Sequence, residues 1–124
     1  MTEIRILLAE DHALLRETLR DVLDRQPDME VVAEAGDGTG AVQLAIEHQP
    51  DIVLMDIKMP GEGGVEATRA ICSQCPGTQV IAVTMYRNEK RALQALKAGA
   101  NGYVLKHSRP QELLKAIRKV YRGE

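Results

Sequence analysis

The chain has 124 residues, 44% hydrophobic and 27% charged, the balance of one globular domain with its own core. Two cysteines exclude a disulfide framework, and three tyrosines with no Phe or Trp exclude a base-stacking platform for single-stranded nucleic acid. The formal net charge of −2 hides a division: residues 1–62 carry 14 acids and 5 Lys/Arg, residues 63–124 carry 4 acids and 11 Lys/Arg. Such polarity between halves means an acidic pocket, a basic contact face, or both.

The opening MTEIRILLAED carries acids early, so it is not a signal peptide, and no apolar run approaches the ~20 residues of a membrane span. A cytoplasmic location is the default expectation. IRILLA at 4–9 reads as the first strand. Next comes a helix over 13–25, with Leu15, Leu19, Val22 and Leu23 on one stripe. MEVVAEA at 29–35 is the second strand, and the helix over 39–48 carries Val42, Ala45 and Ile46. DIVLM at 51–55 is the third strand, and Val65, Ala67, Ile71 and Cys72 mark the core side of a helix over 64–74. QVIAVT at 79–84 precedes a helix over 89–98 with Ala92, Leu93 and Leu96. GYVLK at 102–106 is the fifth strand, and Leu113, Leu114, Ile117, Val120 and Tyr121 stripe the last helix, 109–122. Near-continuous apolar strands are those of a parallel sheet covered on both faces.

Pro27, Pro50 and Pro60 fall between elements, Pro76-Gly77 closes the third helix, and Gly99 stands where a helix ends. Ser108 and Gln111 have capping-box spacing, with Pro110 in the first turn. Five strands with helical crossovers make a doubly wound α/β sheet. Its right-handed crossovers bring the strand carboxyl ends to one edge, where ligands bind at the switch in strand order.

Five reactive residues fall on that edge: Glu10 and Asp11 past strand 1, Asp56 at the end of strand 3, Thr84 at the end of strand 4, and Lys106 after strand 5. Singly, each has a plain structural use: Asp11 as a helix cap, Asp56 as a strand end, Lys106 as a snorkelling lysine. Together, with strands 1 and 3 adjacent, they gather three carboxylates whose repulsion a hard divalent cation relieves, and Mg²⁺ suits such a site. No Ser, Cys or His stands beside Asp56 for Ser–His hydrolysis. A carboxylate can itself attack phosphorus and form an acyl phosphate, with Lys106 and Thr84 placed to bind its oxygens. A dehalogenase-like phosphatase wants a second acid two residues on, where this chain has Lys58.

The motifs ILLAEDH, DIVLMDIKMP with GEGG, VIAVT and GYVLK resemble the receiver domain of bacterial two-component response regulators over the whole chain. EVVAEAGDG, GVEATR, LKAGANGYVLK and ELLKAIRKVYRGE resemble its NarL/FixJ (LuxR-type) branch. The resemblance implies a flavodoxin-like, CheY-like fold of strand order 2-1-3-4-5, residues 1–124 forming one receiver domain. It implies Asp56 as phosphoacceptor and Mg²⁺ held by Asp11, Asp56, the Lys58 carbonyl and, through water, Glu10. Lys106 then pairs with the phosphoryl group, while Thr84 and Tyr103 act as switch residues. A sensor histidine kinase is the implied donor, with a phosphorylation-dependent homodimer through helices 1 and 5, or through helix 4, strand 5 and helix 5. Not an enzyme but a phosphoacceptor assisting its own chemistry, it contacts DNA only through a helix-turn-helix output domain beyond this chain. Two features depart from the common pattern: Glu-Asp stands for Asp-Asp, and His107 replaces a frequently cis proline, which puts the Lys106–His107 geometry in question. Lys58 and Tyr86 flank the expected acyl phosphate.

Alternatives from other classes are an interaction module that never takes up phosphate and a Mg²⁺-dependent phosphohydrolase. Cys72-Ser-Gln-Cys75 lies at a helix C-terminus, where the dipole opposes the thiolate, so Cys72 reads as core filler and Cys75 as partly exposed. His12, beside the acidic pair, reads as a solvated residue at the start of the first helix before a group that tunes the pocket, and Gly36-x-Gly38-x-Gly40 as the loop into the second. Lys115, Arg118, Lys119 and Arg122 on the last helix, with Arg87, Lys90, Arg91 and Lys97 near the fourth, read as a face for protein partners before a nucleic-acid surface.

Overall fold

The structure is a computed structural model that describes residues 3–59, 63–85 and 90–123; Pro60, Tyr86 and Arg87 lie outside them. Five strands, β1 (Ile4–Ala9), β2 (Met29–Ala35), β3 (Ile52–Asp56), β4 (Gln79–Thr84) and β5 (Gly102–Leu105), alternate with five helices. These are α1 (Ala13–Asp24), α2 (Gly38–His48), α3 (Gly64–Gln74), α4 (Lys90–Lys97) and α5 (Pro110–Tyr121). The strands pair in parallel in the order β2-β1-β3-β4-β5. The expected architecture is therefore observed, with the reversal of strand order between β1 and β3.

Every residue of β3 is buried because the sheet is covered on both faces. Ile6, Leu8, Leu54 and Ile81 pack with Leu23 of α1 and Leu113 and Ile117 of α5. Leu7, Val53 and Val80 pack with Ala41 and Ala45 of α2 and Ala67 and Ile71 of α3. Alternation along β1 thus feeds two separate cores.

The helical stripes differ from expectation where small residues make the contact. Gly38, Ala41 and Ala45 form the buried side of α2 and leave Ile46 44% exposed; Ala92 and Ala95 do so in α4, leaving Leu93 48% exposed. Gly38 and Gly40 belong to the first turn of α2, where Gly40 N–H donates to the Asp37 side chain at 2.7 Å. The Ser108–Gln111 box does not form: Arg109 is the cap, without a side-chain bond, because the Ser108 N–H closes a turn on the Leu105 carbonyl at 3.0 Å. The cap of α1 is His12, not Asp11. No peptide among the described residues is cis, and Lys106–His107 is trans.

The two cysteines exchange their expected places. The helix stops at Gln74, so Cys75 turns under it and is fully buried, its N–H bonded to the Ile71 carbonyl at 2.7 Å. Cys72 is half-buried beside Gly99, where φ is +122° and an added Cβ would stand 2.7 Å from the thiol sulfur. Burial pushes the Cys72 thiol up, and neighbouring Cys75 pushes it the same way, which disfavours the reactive thiolate.

Arg118, expected on an open basic face, is engaged. Its Nε and Nη2 each donate to Asp28 at 2.9 Å, and Nη2 also reaches Gln26 at 2.9 Å, tying α5 to the α1–β2 turn. The Arg118 hydrogen bonds hold the Asp28 carboxyl below its ordinary value of 3.8, so this stabilisation is present above 3.8 and lost as pH falls through the lower folded value. Both side chains are about a third exposed (33% and 38%), which discounts the pair. Arg118→Met is expected to lower unfolding free energy by about 1 kcal/mol at neutral pH. In urea melts that difference should shrink well below pH 3.8; an equal difference at both pH values would contradict the assignment.

Candidate functional site

The register brings the expected residues to one edge. Ala9 pairs with Met55, so Glu10 and Asp56 come next on neighbouring strands; Asp56 pairs with Val83, and Thr84 with Leu105, which puts Lys106 one step past Thr84. The Lys106 N–H donates to the Thr84 carbonyl at 2.7 Å, which ties the ends of β4 and β5 together.

Asp56 is 1% exposed and both of its oxygens are held. Oδ1 accepts the Lys58 backbone N–H at 3.0 Å, and Oδ2 accepts from Lys106 Nζ at 2.9 Å. Lys106 Nζ also stands 3.4 Å from Glu10 Oε1. The Glu10 carboxylate is buried and its Oε2 accepts the His12 N–H at 3.1 Å. Asp11, its side chain 30% exposed, lines an open cleft of about 430 Å³ with Ile57, Lys58, Met59, Gly63 and Arg91. Thr84 is buried at its strand end, whereas the Tyr103 side chain is exposed on β5.

The single charge of Lys106 does not balance the three acids. Burial pushes the Glu10 carboxyl above its ordinary value, and the Asp56 charge adds to this although the His12 N–H works against it. Burial acts in the same sense on Asp11, but its interactions with the Asp56 and Glu10 carboxyls outweigh it and hold Asp11 below its ordinary value. Of the Glu10–Asp11 pair, Glu10 is therefore the one that takes up a proton more readily. Burial also works against the Lys106 charge, but the hydrogen bond and charge of Asp56 outweigh it and raise its pKa. A buried acid held against ionisation next to two others is a site that a hard cation with oxygen ligands satisfies, so the residues fit Mg²⁺.

Two further residues stand at this edge: His12, which the sequence already sets beside the acidic pair as a solvated residue at the start of the first helix, and Arg16, which has no signal there. Glu10, Asp11 and His12 offer ligand atoms within 4.8 Å of one another, and His12 Nδ1 lies 3.5 Å from Glu10 Oε2. Arg16 donates to the Glu10 carbonyl at 2.7 Å. Nothing marks Arg16 beyond its place in the first helix after the acidic pair, where a surface arginine is ordinary.

A doubly wound sheet with this acidic edge defines a class, and residues 6–118 match the response regulator receiver domain. The chain belongs to that family. It is 43% identical, over 98% of its length, to the oxygen regulatory protein NreC of Staphylococcus carnosus (strain TM300), covering 56% of that protein. The chain spans about half the length of the curated relatives it matches. The receiver domain of the putative response regulator NarL from Mycobacterium tuberculosis superposes with a TM-score of 0.94 at 33% identity, over 100% of both chains. A LuxR-family two-component response regulator from Aurantimonas sp. SI85-9A1 gives 0.92 at 43% identity, over 99% of this chain and 88% of that one. The chain is thus a two-component signalling module of NarL/LuxR type. Among the described residues no helix is long and apolar enough to cross a membrane.

Proposed function

We propose that Asp56 accepts a phosphoryl group from a phosphohistidine of a sensor kinase, and that the acyl phosphate switches the chain between two states. The observation that carries this reading is the Asp56 carboxylate, 1% exposed, held through one oxygen by Lys58 N–H and through the other by Lys106 Nζ. Held so, a carboxylate oxygen can attack phosphorus in line while the phosphorus–nitrogen bond breaks and the imidazole leaves. Glu10, Asp11 and the Lys58 carbonyl would hold Mg²⁺ with Asp56. When bound, that ion neutralises the carboxylates and the charge on the transferring group. Lys106 then exchanges its Asp56 partner for a phosphoryl oxygen, and Thr84 Oγ1 hydrogen-bonds another. Because Lys106 N–H is bonded to the Thr84 carbonyl, such a shift is passed along β4 and β5 to Tyr103.

The output reading is a phosphorylation-dependent homodimer of a cytoplasmic transcriptional regulator, with DNA contacted by a separate output domain. Two faces carry exposed apolar residues suited to it: α1–α5, where Leu14 is 79% exposed and an apolar cavity of about 160 Å³ lies between Leu15 and Leu19 of α1 and Leu113 of α5, and α4–β5, with Leu93 and Tyr103. The switch is tested by weighing the intact chain after incubation with Mg²⁺ and acetyl phosphate. One phosphoryl group is expected on the wild type and none on Asp56→Asn. A folded wild type that gains no adduct would favour a phosphate-independent interaction module, and sustained phosphate release would favour a phosphohydrolase.

A further inference from the structure

We propose that Arg16 is the positioning residue of the acidic pair, fixing the Glu10–Asp11 segment in its cation-binding geometry while Glu34 offsets the arginine's own charge. The inference rests on the phosphoacceptor reading of this pocket.

Glu10 lies where β1 ends, and its backbone is held on both sides. Its N–H donates to the Ala35 carbonyl at 3.0 Å, and its carbonyl accepts from Arg16 Nη1 at 2.7 Å. The Glu10 carbonyl and the Asp11 N–H share one planar peptide, so fixing the carbonyl fixes the direction in which Asp11 leaves the strand. The guanidinium comes from the first turn of α1, whose Arg16 N–H bonds the His12 carbonyl at 2.9 Å. The segment from Glu10 to Arg16 is therefore a closed loop, tied by backbone at one point and by side chain at another.

An uncompensated guanidinium here would also compete with the cation it helps to seat. Arg16 Nε lies 3.4 Å from Glu34 Oε1, and the other oxygen of Glu34 takes Arg20 Nη1 at 2.9 Å. Arg16 and Glu34 are about a quarter exposed, at 26% and 27%, so the pairing is only partly screened. The planar fork of arginine serves two acceptors in different directions at once; a lysine ammonium at the same place keeps the charge and loses that geometry. Groups that orient metal ligands without touching the ion typically alter affinity by tenfold or more.

The test titrates Mg²⁺ calorimetrically into the unphosphorylated chain. Arg16→Met and Arg16→Lys are each expected to bind about tenfold more weakly than wild type. Arg20→Met, which removes a contact to Glu34 but none to Glu10, should bind as wild type. Glu34→Gln should also weaken binding, because it leaves the Arg16 charge uncompensated. Wild-type affinity in Arg16→Lys overturns the proposal even if Arg16→Met does not fold, and so does an equal loss in Arg20→Met. Wild-type affinity in Glu34→Gln overturns the part assigned to Glu34. A wild-type chain that binds no Mg²⁺ overturns the pocket reading, and this inference with it.

Discussion

Lys106→Ala is expected to lower the stability of the cation-free protein by about 2 kcal/mol and to make it unusually responsive to Mg²⁺. The Lys106 side chain is 12% exposed, and its two partners, Asp56 and Glu10, are 1% and 3% exposed. Deleting it leaves two adjacent buried carboxylates with no cation. Removing one partner of a fully buried pair typically costs ~3–5 kcal/mol; the value here is smaller because Glu10, already held against ionisation, can take up a proton. A carboxyl raised above its ordinary 4.5 loses stability as pH rises through its folded value, so the deficit should be largest at neutral pH and should shrink on acidification. Urea unfolding in chelator and then in Mg²⁺ reads both effects. On the functional side, Asp56 keeps its Lys58 N–H contact, so phosphorylation should persist while its coupling to dimerisation through β5 is lost. An unchanged unfolding midpoint in chelator would remove Lys106 from its electrostatic role, and an unchanged phosphorylation-dependent dimer shift would remove it from the switch.

Strands and site residues were legible in the sequence for the same reason. Runs such as IRILLA and QVIAVT are apolar because a parallel sheet is covered on both faces, and the crossover rule sends the residues just past them to one edge. Glu10, Asp56, Thr84 and Lys106 could thus be grouped before any distance was known. Packing between helices was less legible. Periodicity weights bulky residues, so Ile46 and Leu93 looked like core, yet α2 and α4 approach their neighbours through Gly38, Ala41, Ala45, Ala92 and Ala95. Cys72 and Cys75 were exchanged although α3 ends at Gln74 as expected: the stripe of a helix says nothing of the residue after it, and Cys75 is turned inward by its N–H bond to the Ile71 carbonyl. The charge division of the chain was a weak guide. Arg118 of the basic half is spent on Asp28, and Arg16 and Glu34 meet from a helix and an edge strand 18 residues apart, with no local signature.

Gly64, the last residue of the GEGG motif, makes a close approach that only the structure discloses, and replacing it is expected to be costly. It opens α3 directly against the end of β3, following Gly63 at φ +77°. A Cβ on Gly64 would collide with Ile57 Cα and stand 2.6 Å from the Asp56 carbonyl oxygen and 2.9 Å from the Ile57 carbonyl carbon. All three are backbone atoms, so no side chain can rotate aside. Relief requires moving α3 away, which breaks the 3.3 Å bond from Gly64 N–H to the Ile57 carbonyl, or moving the Asp56–Lys58 turn. That turn carries the Lys58 N–H that holds Asp56 Oδ1 at 3.0 Å, so either route disturbs the proposed phosphoacceptor. Gly64→Ala should therefore cost about 3 kcal/mol, at the upper end for overpacking, and should slow labelling of Asp56 by acetyl phosphate. Gly77→Ala is the matched control: its Cβ would meet nothing within 4 Å, and it should change stability by no more than about 0.5 kcal/mol. Urea melts and labelling rates of the two variants decide the matter. Equal stability in both would mean that the α3 start yields to a methyl group, and the close contact with β3 would then have no part in holding the site.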